Sequence, residues 1–258
     1  MNFNAKIKLI KGMVYNDINK EYIGSFFGLM WAFIQPVSII FVLWFVFEIG
    51  FKSKPINDVP FILWLSSGLL PWFFFANSLS LTTNSIISQS YLVKKISFPV
   101  IILPVVKIIS QLLIHIFMMI ILLIAFLIYG VSIDLYWLQL FYYVLASFVF
   151  LSGIGWILSS FVIFIKDIRN LVPIIIQFGF WGTPIFWSIS MIPAKYHEYI
   201  KLNPFEYLIQ GYRDSMIYKV WFWEKAYDGL YFWSISISLF IFGYFVFNRL
   251  KTHFVDII

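Results

Sequence analysis

Apolar residues fall into six long runs along this chain: Phe26–Phe47, Pro60–Leu81, Val100–Tyr129, Leu135–Ile165, Leu171–Ile189 and Leu230–Phe247. About 20 apolar residues carry a helix across the hydrocarbon of a bilayer, and five of the runs are about that long or longer. The fifth run is short and is broken by Pro173, Gly179, Gly182 and Pro184. Such breaks persist at membrane depth only where protein or a watery cavity satisfies the freed backbone groups. Ahead of the first run, Phe3, Ile7, Ile10, Val14 and Ile18 recur at helical spacing, with lysines on the other side. That is a single apolar face, the pattern of a helix lying in a membrane interface, as an anchor or as a docking element. Between the last two runs, Ser190–Gly229 alternates apolar and polar positions and is rich in aromatics. At about 40 residues it is too short for an ordinary domain. It predicts short helices packed on the outer membrane surface or dipping into it. The pattern as a whole predicts an all-α polytopic membrane protein, with an amphipathic interface helix over 1–25 and a six-span domain over 26–258.

Composition removes the soluble alternative. The chain is 62% hydrophobic and 12% charged, against about 45–50% and about 25% in soluble domains. The net charge of +6 reads first as topology rather than nucleic-acid binding. Lys6, Lys8, Lys11 and Lys20 precede the first run. Lys94 and Lys95 follow the second, Lys166 and Arg169 the fourth, and Arg249 and Lys251 the last. On the opposite side, Lys52 and Lys54 are balanced by Glu48 and Asp58, and the third loop holds only Asp134. The positive-inside rule therefore places both termini in the cytoplasm. The chain start is expected not to be a cleavable signal, because no short apolar region with small residues precedes Phe26.

Catalytic chemistry is scarce. The sequence holds no GxxxxGK[ST] phosphate loop, so this chain is not expected to hydrolyse ATP. It has no cysteine, no HExxH, no GxSxG, no Asp-x-Asp pair and no His-x4-Asp pair. Ion-coupled transport needs titratable groups inside the membrane, and the candidates are Lys107 and His115. Lys107 is about 12 Å past Pro99 along a helix, close enough for its stem to snorkel back to the interface. A lone His115 reads as a neutral, hydrogen-bonded packing residue. The chain thus has material for a pathway but no engine.

Three stretches carry a resemblance. One is Tyr22-Ile23-Gly24-Ser25-Phe26-Phe27-Gly28-Leu29-Met30-Trp31 at the first span. The second runs from Gly68-Leu69-Leu70-Pro71-Trp72-Phe73-Phe74 to Val93-Lys94-Lys95-Ile96-Ser97-Phe98-Pro99. The third is Asn203-Pro204-Phe205 leading to Tyr212-Arg213-Asp214. In order and spacing they resemble type-2 ATP-binding-cassette permeases of the polysaccharide-export branch, which move O-antigen, teichoic acid or capsule. The resemblance implies a six-span permease that forms a homodimer around a channel. It implies a separate ABC ATPase dimer that holds the ATP and Mg, with no cofactor in this chain. The implied substrate is a lipid-linked polysaccharide, and the implied location is the bacterial cytoplasmic membrane. It also implies that Ser88, Tyr91, Lys94, Lys95, Phe98 and Pro99 form the segment that seats in the ATPase. Tyr22, Gly24, Ser25, Gly28 and Trp31 would form a hinge where the lipid carrier comes in. Asn203, Pro204, Phe205, Tyr212 and Arg213 would belong to re-entrant external gate helices. Arg213 would contact the carrier's pyrophosphate or, the favoured reading, pair with Asp214 or Glu206.

The aromatic excess, 22% of the chain, has two readings. Trp and Tyr gather at membrane interfaces. Aromatic faces also pack against the C–H faces of sugars and let a polymer slide, which makes Trp44, Phe45, Trp72, Phe73, Phe178, Trp181 and Trp187 candidates for a channel lining. A permease for a small lipid or drug, and a membrane enzyme of envelope glycan synthesis, are the competing readings. The missing metal-binding and acid–base pairs count against the enzyme.

Overall fold

The structure, a computed structural model, describes residues 3–22, 26–52, 59–95 and 98–257. It is built of helices: α1 (Phe3–Tyr22), α2 (Trp31–Trp44), α3 (Phe61–Thr83), α4 (Ser90–Val93), α5 (Ile102–Ile128), α6 (Leu140–Phe164), α7 (Ile168–Gly182), α8 (His197–Lys201), α9 (Pro204–Arg213), α10 (Ala226–Leu250) and α11 (Phe254–Ile257). Among the described residues, five helical stretches are long and apolar enough to cross a membrane: Gly28–Gly50, Phe61–Thr83, Ile102–Ile128, Leu135–Phe164 and Phe222–Ile257. The protein is an all-α polytopic membrane protein. The broken fifth run forms α7, whose 15 residues reach about 22 Å, short of the roughly 30 Å hydrocarbon.

Centrality is uneven. α3 is the hub, packed on α5, α6, α7 and α9, and it buries Trp64, Leu65, Leu69 and Trp72. α6 and α10 pack along their length. They approach so closely at Gly153 and Gly243 that a Cβ on Gly153 would lie 2.7 Å from the Leu239–Phe240 backbone. Small residues allow such backbone contact between membrane helices, where packing rather than the hydrophobic effect holds helices together. A second apolar cluster, with Ile86, Val93, Leu103, Trp156, Phe247 and Phe254, gathers α4, the start of α5 and the C-terminal end. α2, by contrast, fully buries only Pro36, and α7 exposes Leu171, Ile174, Ile175 and Phe178.

Helix α1 packs against α5, and the contact includes an ion pair absent from the sequence reading. The Lys107 ammonium donates to Asp17 of α1, and both side chains are largely buried. Pairing satisfies the charge where it sits.

α9 is the other departure from a simple bundle. Asn203 caps it by accepting from the Phe205 N–H at 3.1 Å, and Pro204 occupies the first turn, a strong local start signal. It lies inside the bundle against α3, α6 and α10. Its Phe205 packs edge-on against Trp72. Its Tyr212 hydroxyl meets His115 Nε2 at 2.8 Å. His115 is midway along α5, about 20 Å from either end. The C-terminal end of the short helix therefore sits level with the middle of a span.

Candidate functional site

Polar side chains within apolar spans mark paths through membrane proteins. A furrow of about 510 Å³ runs between α2, α3 and α5. Gln35 of α2, Asn77 and Ser80 of α3, and Gln111 and His115 of α5 line it, with Trp31 and Phe73 at its walls. The spacing explains why these residues share one side: positions three or four apart stack on one helix face, as Asn77 and Ser80 do, and Gln111 and His115. His115 is fixed there by Tyr212 and by the Phe74 ring, stacked at 4.9 Å. The furrow offers neutral donors and acceptors beside aromatic rings. It suits a hydroxyl-rich ligand better than an ion. Among the described residues no group of three or more His, Cys, Asp or Glu side chains is placed to hold a metal.

The aromatic candidates do not form one surface. Phe73 faces the furrow, whereas its neighbour Trp72, 3% exposed, is buried against Phe75, Phe180 and Phe205. Adjacent helix residues point about 100° apart, so the two rings serve different sides of α3. Trp72 shares an apolar cleft with Phe178, which is 77% exposed. Phe45 and Trp181 are exposed, Trp44 is half-buried, and the half-buried Trp187 donates to the Trp181 carbonyl at 3.1 Å. At the start of the first span, Trp31 meets Phe27 edge-on at 5.7 Å. Gly28 takes φ +50°, a left-handed conformation that glycine adopts at no steric cost. Tyr22 ends α1, but its side chain, Gly24 and Ser25 lie outside the described residues.

Between α3 and α5 the chain forms a short helical turn ending in α4. Val93 and Ile86 are buried, while Ser88, Tyr91, Lys94 and Lys95 are exposed and Phe98 and Pro99 are half-buried. The turn is anchored on one side and presents a basic, aromatic face on the other.

Arg213 departs from expectation. It does not pair with Asp214 or Glu206. Its guanidinium donates to the carbonyls of Pro184 and Ile185 and lies over the Trp64 ring, 3.7 Å from the centroid. Asp214 pairs with Lys225 instead. The backbone break after α7 leaves carbonyls at depth without helical partners, and a fully buried guanidinium with its forked donors satisfies two of them. Asn203 supports the same break by donating to Thr183 Oγ1 at 2.8 Å.

Sequence reasoning passed over Gln35, Asn77 and Gln111. The available signal was polar residues inside apolar runs at helical spacing, but it does not say which helices bring their polar sides together.

A family model described as "ABC-2 type transporter" matches residues 10–217. An "O-antigen export system permease protein RfbA" of Klebsiella pneumoniae is 29% identical over 259 residues, covering 100% of this chain and 97% of that protein. A second Klebsiella pneumoniae protein of the same name is 27% identical over the same coverage. One from Myxococcus xanthus is 24% identical over 207 residues, 80% of this chain and 78% of that protein. The family match takes in most of α1, the furrow and α9. The chain belongs to the ABC-2 type transporter family.

Proposed function

We propose, from the premise that the chain belongs to the ABC-2 type transporter family, that it is the membrane subunit of an ATP-driven exporter. Its substrate is a lipid-linked, O-antigen-like polysaccharide, moved across the bacterial cytoplasmic membrane through a channel between two copies of the chain. The observation that carries this reading is the likeness, end to end, to permeases named for O-antigen export. A separate ABC ATPase supplies the energy.

The geometry supports a mechanical role. The turn with Lys94 and Lys95 lies in the chain between α3 and α5, so a push on it acts on the two helices that carry most of the furrow. α5 in turn holds α9 through His115 and Tyr212. A displacement at one end is thus handed to the embedded helix by packed elements, a contiguous physical route. Neutral amides and hydroxyls along the furrow suit a sugar chain, which exchanges hydrogen bonds with them as it moves. By the positive-inside rule the Lys94–Lys95 turn faces the cytoplasm.

The test is to co-express the chain with the ABC ATPase encoded in the same genome and purify in detergent. ATPase activity is then compared with and without Lys94→Glu/Lys95→Glu. Co-purification that the double reversal weakens supports the reading. A wild-type chain that captures no ATPase, and restores no surface polysaccharide to a strain lacking it, overturns it.

A further inference from the structure

We propose that the cavity beside α9 is a second binding site, separate from the furrow, that holds one or a few neutral sugar residues. The identity of the sugar rests on the exporter reading. The cavity itself, about 610 Å³, lies among α9, the first turns of α3 and α10, and Tyr143 of α6. That is the size of an ordinary small-molecule site, about 300–1,000 Å³. None of the furrow residues lines it.

Its charges balance. Glu206, Asp214 and Asp228 stand against Lys201, Arg213 and Lys225. Most are already engaged. Asp214 accepts from Lys225 and, at 3.0 Å, from Gln210. Arg213 is taken by the two carbonyls, and Lys201 lies 3.9 Å from Asp228 where both are partly exposed. Glu206 is the exception. It is 7% exposed and lines the cavity. Among the described residues its carboxyl makes no hydrogen bond or ion pair. Burial raises its pKa to about 7.

The Glu206 carboxyl lines the cavity with no side-chain partner of its own, so whatever fills the cavity supplies one. An anion would face Glu206 and Asp214, a cation would face Lys201 and Lys225, and neither finds a net opposite charge. An apolar ligand would leave Glu206 desolvated and unpaired, which is the costly arrangement. A sugar hydroxyl both donates and accepts, so a ring carrying several matches a wall of carboxyl, amide and ammonium groups. The half-buried Tyr218 adds an aromatic surface for the C–H face. A sugar held here sits against the helix that Tyr212 ties to α5.

The test uses the full-length chain in detergent. The probe is a set of lipid-free oligosaccharides, two to four sugars long, released by mild acid from the surface polysaccharide of the bacterium that encodes it. Titration calorimetry is expected to show binding to the wild type that Glu206→Leu weakens about ten- to a hundredfold. Glu206→Gln, which keeps the hydrogen-bonding groups, is expected to stay within a few-fold. If Glu206→Leu elutes as aggregate, Gln210→Leu takes its place, with about a tenfold loss expected. No binding to the wild type, or equal binding to the leucine variants, overturns the inference and leaves the cavity as a water chamber. In that case restoration of surface polysaccharide by the wild-type chain keeps the exporter reading standing. Failure to restore it removes that reading as well.

Discussion

Changing Lys107 to Met should loosen α1 from the bundle, and the size of the effect follows from burial. The Lys107 and Asp17 side chains are 14% and 5% exposed. One Asp17 oxygen, Oδ2, has no partner even with the pair intact. Lys107→Met strands a buried carboxylate, and removing one member of a buried pair costs about 3–5 kcal/mol. At about 2–4 °C per kcal/mol for chains of this size, the melting temperature should fall by roughly 6–20 °C. Asp17→Leu strands the ammonium and should do about the same. The double variant removes both charges. Replacing a buried pair by apolar groups is often neutral, so its melting point should return to within about 4 °C of the wild type. The assay is thermal unfolding of the purified full-length chain in one mild detergent at pH 7. A Lys107→Met chain that melts with the wild type would show that the pair does not hold α1. A double variant as unstable as both singles added together would show that each residue matters for something other than the other.

Three further outcomes follow from named contacts. Tyr212→Phe removes the partner of buried His115 and should cost about 1–3 kcal/mol, read as a lower melting temperature in the same detergent. Gly153→Leu drives a side chain into the α10 backbone at Leu239 and Phe240; overpacking costs about 1–3 kcal/mol or more, so size-exclusion should show little folded protein, whereas Gly182→Ala, with open space around it, should elute as the wild type. Glu206, outside the five long spans, has its pKa raised from 4.5 to about 7, first by desolvation. Between those values the folded state binds the proton and the unfolded state does not, so stability falls as pH rises through that window and is flat above it. The loss is at most about 3 kcal/mol, and Glu206→Gln should flatten the melting-temperature profile between pH 4.5 and 7.

Much of the fold is legible in one dimension because helix formation and membrane partition are local properties. The runs that become α3, α5, α6 and α10 are read from hydropathy and length alone, and Asn203 with Pro204 is a local cap signal that went unread as the start of α9. The family motifs around Gly68–Phe74 and Asn203–Phe205 are equally local. What needed the tertiary structure is everything that depends on which side of a helix meets what. Lys107 finds Asp17 across 90 residues of sequence and His115 finds Tyr212 across 97. Trp72 and Phe73 are equally aromatic, yet one is buried toward α7 and α9 and the other faces the furrow. Arg213 looks like half of an ion pair until the broken backbone after α7 presents it with two carbonyls. The reason is physical. In water, hydropathy separates inside from outside, because apolar groups are driven from the solvent. In a bilayer the lipid is as apolar as the protein core, so the same residues serve both. The chain determines by itself that its helices enter the membrane; only their packing decides which faces meet lipid, each other or the substrate.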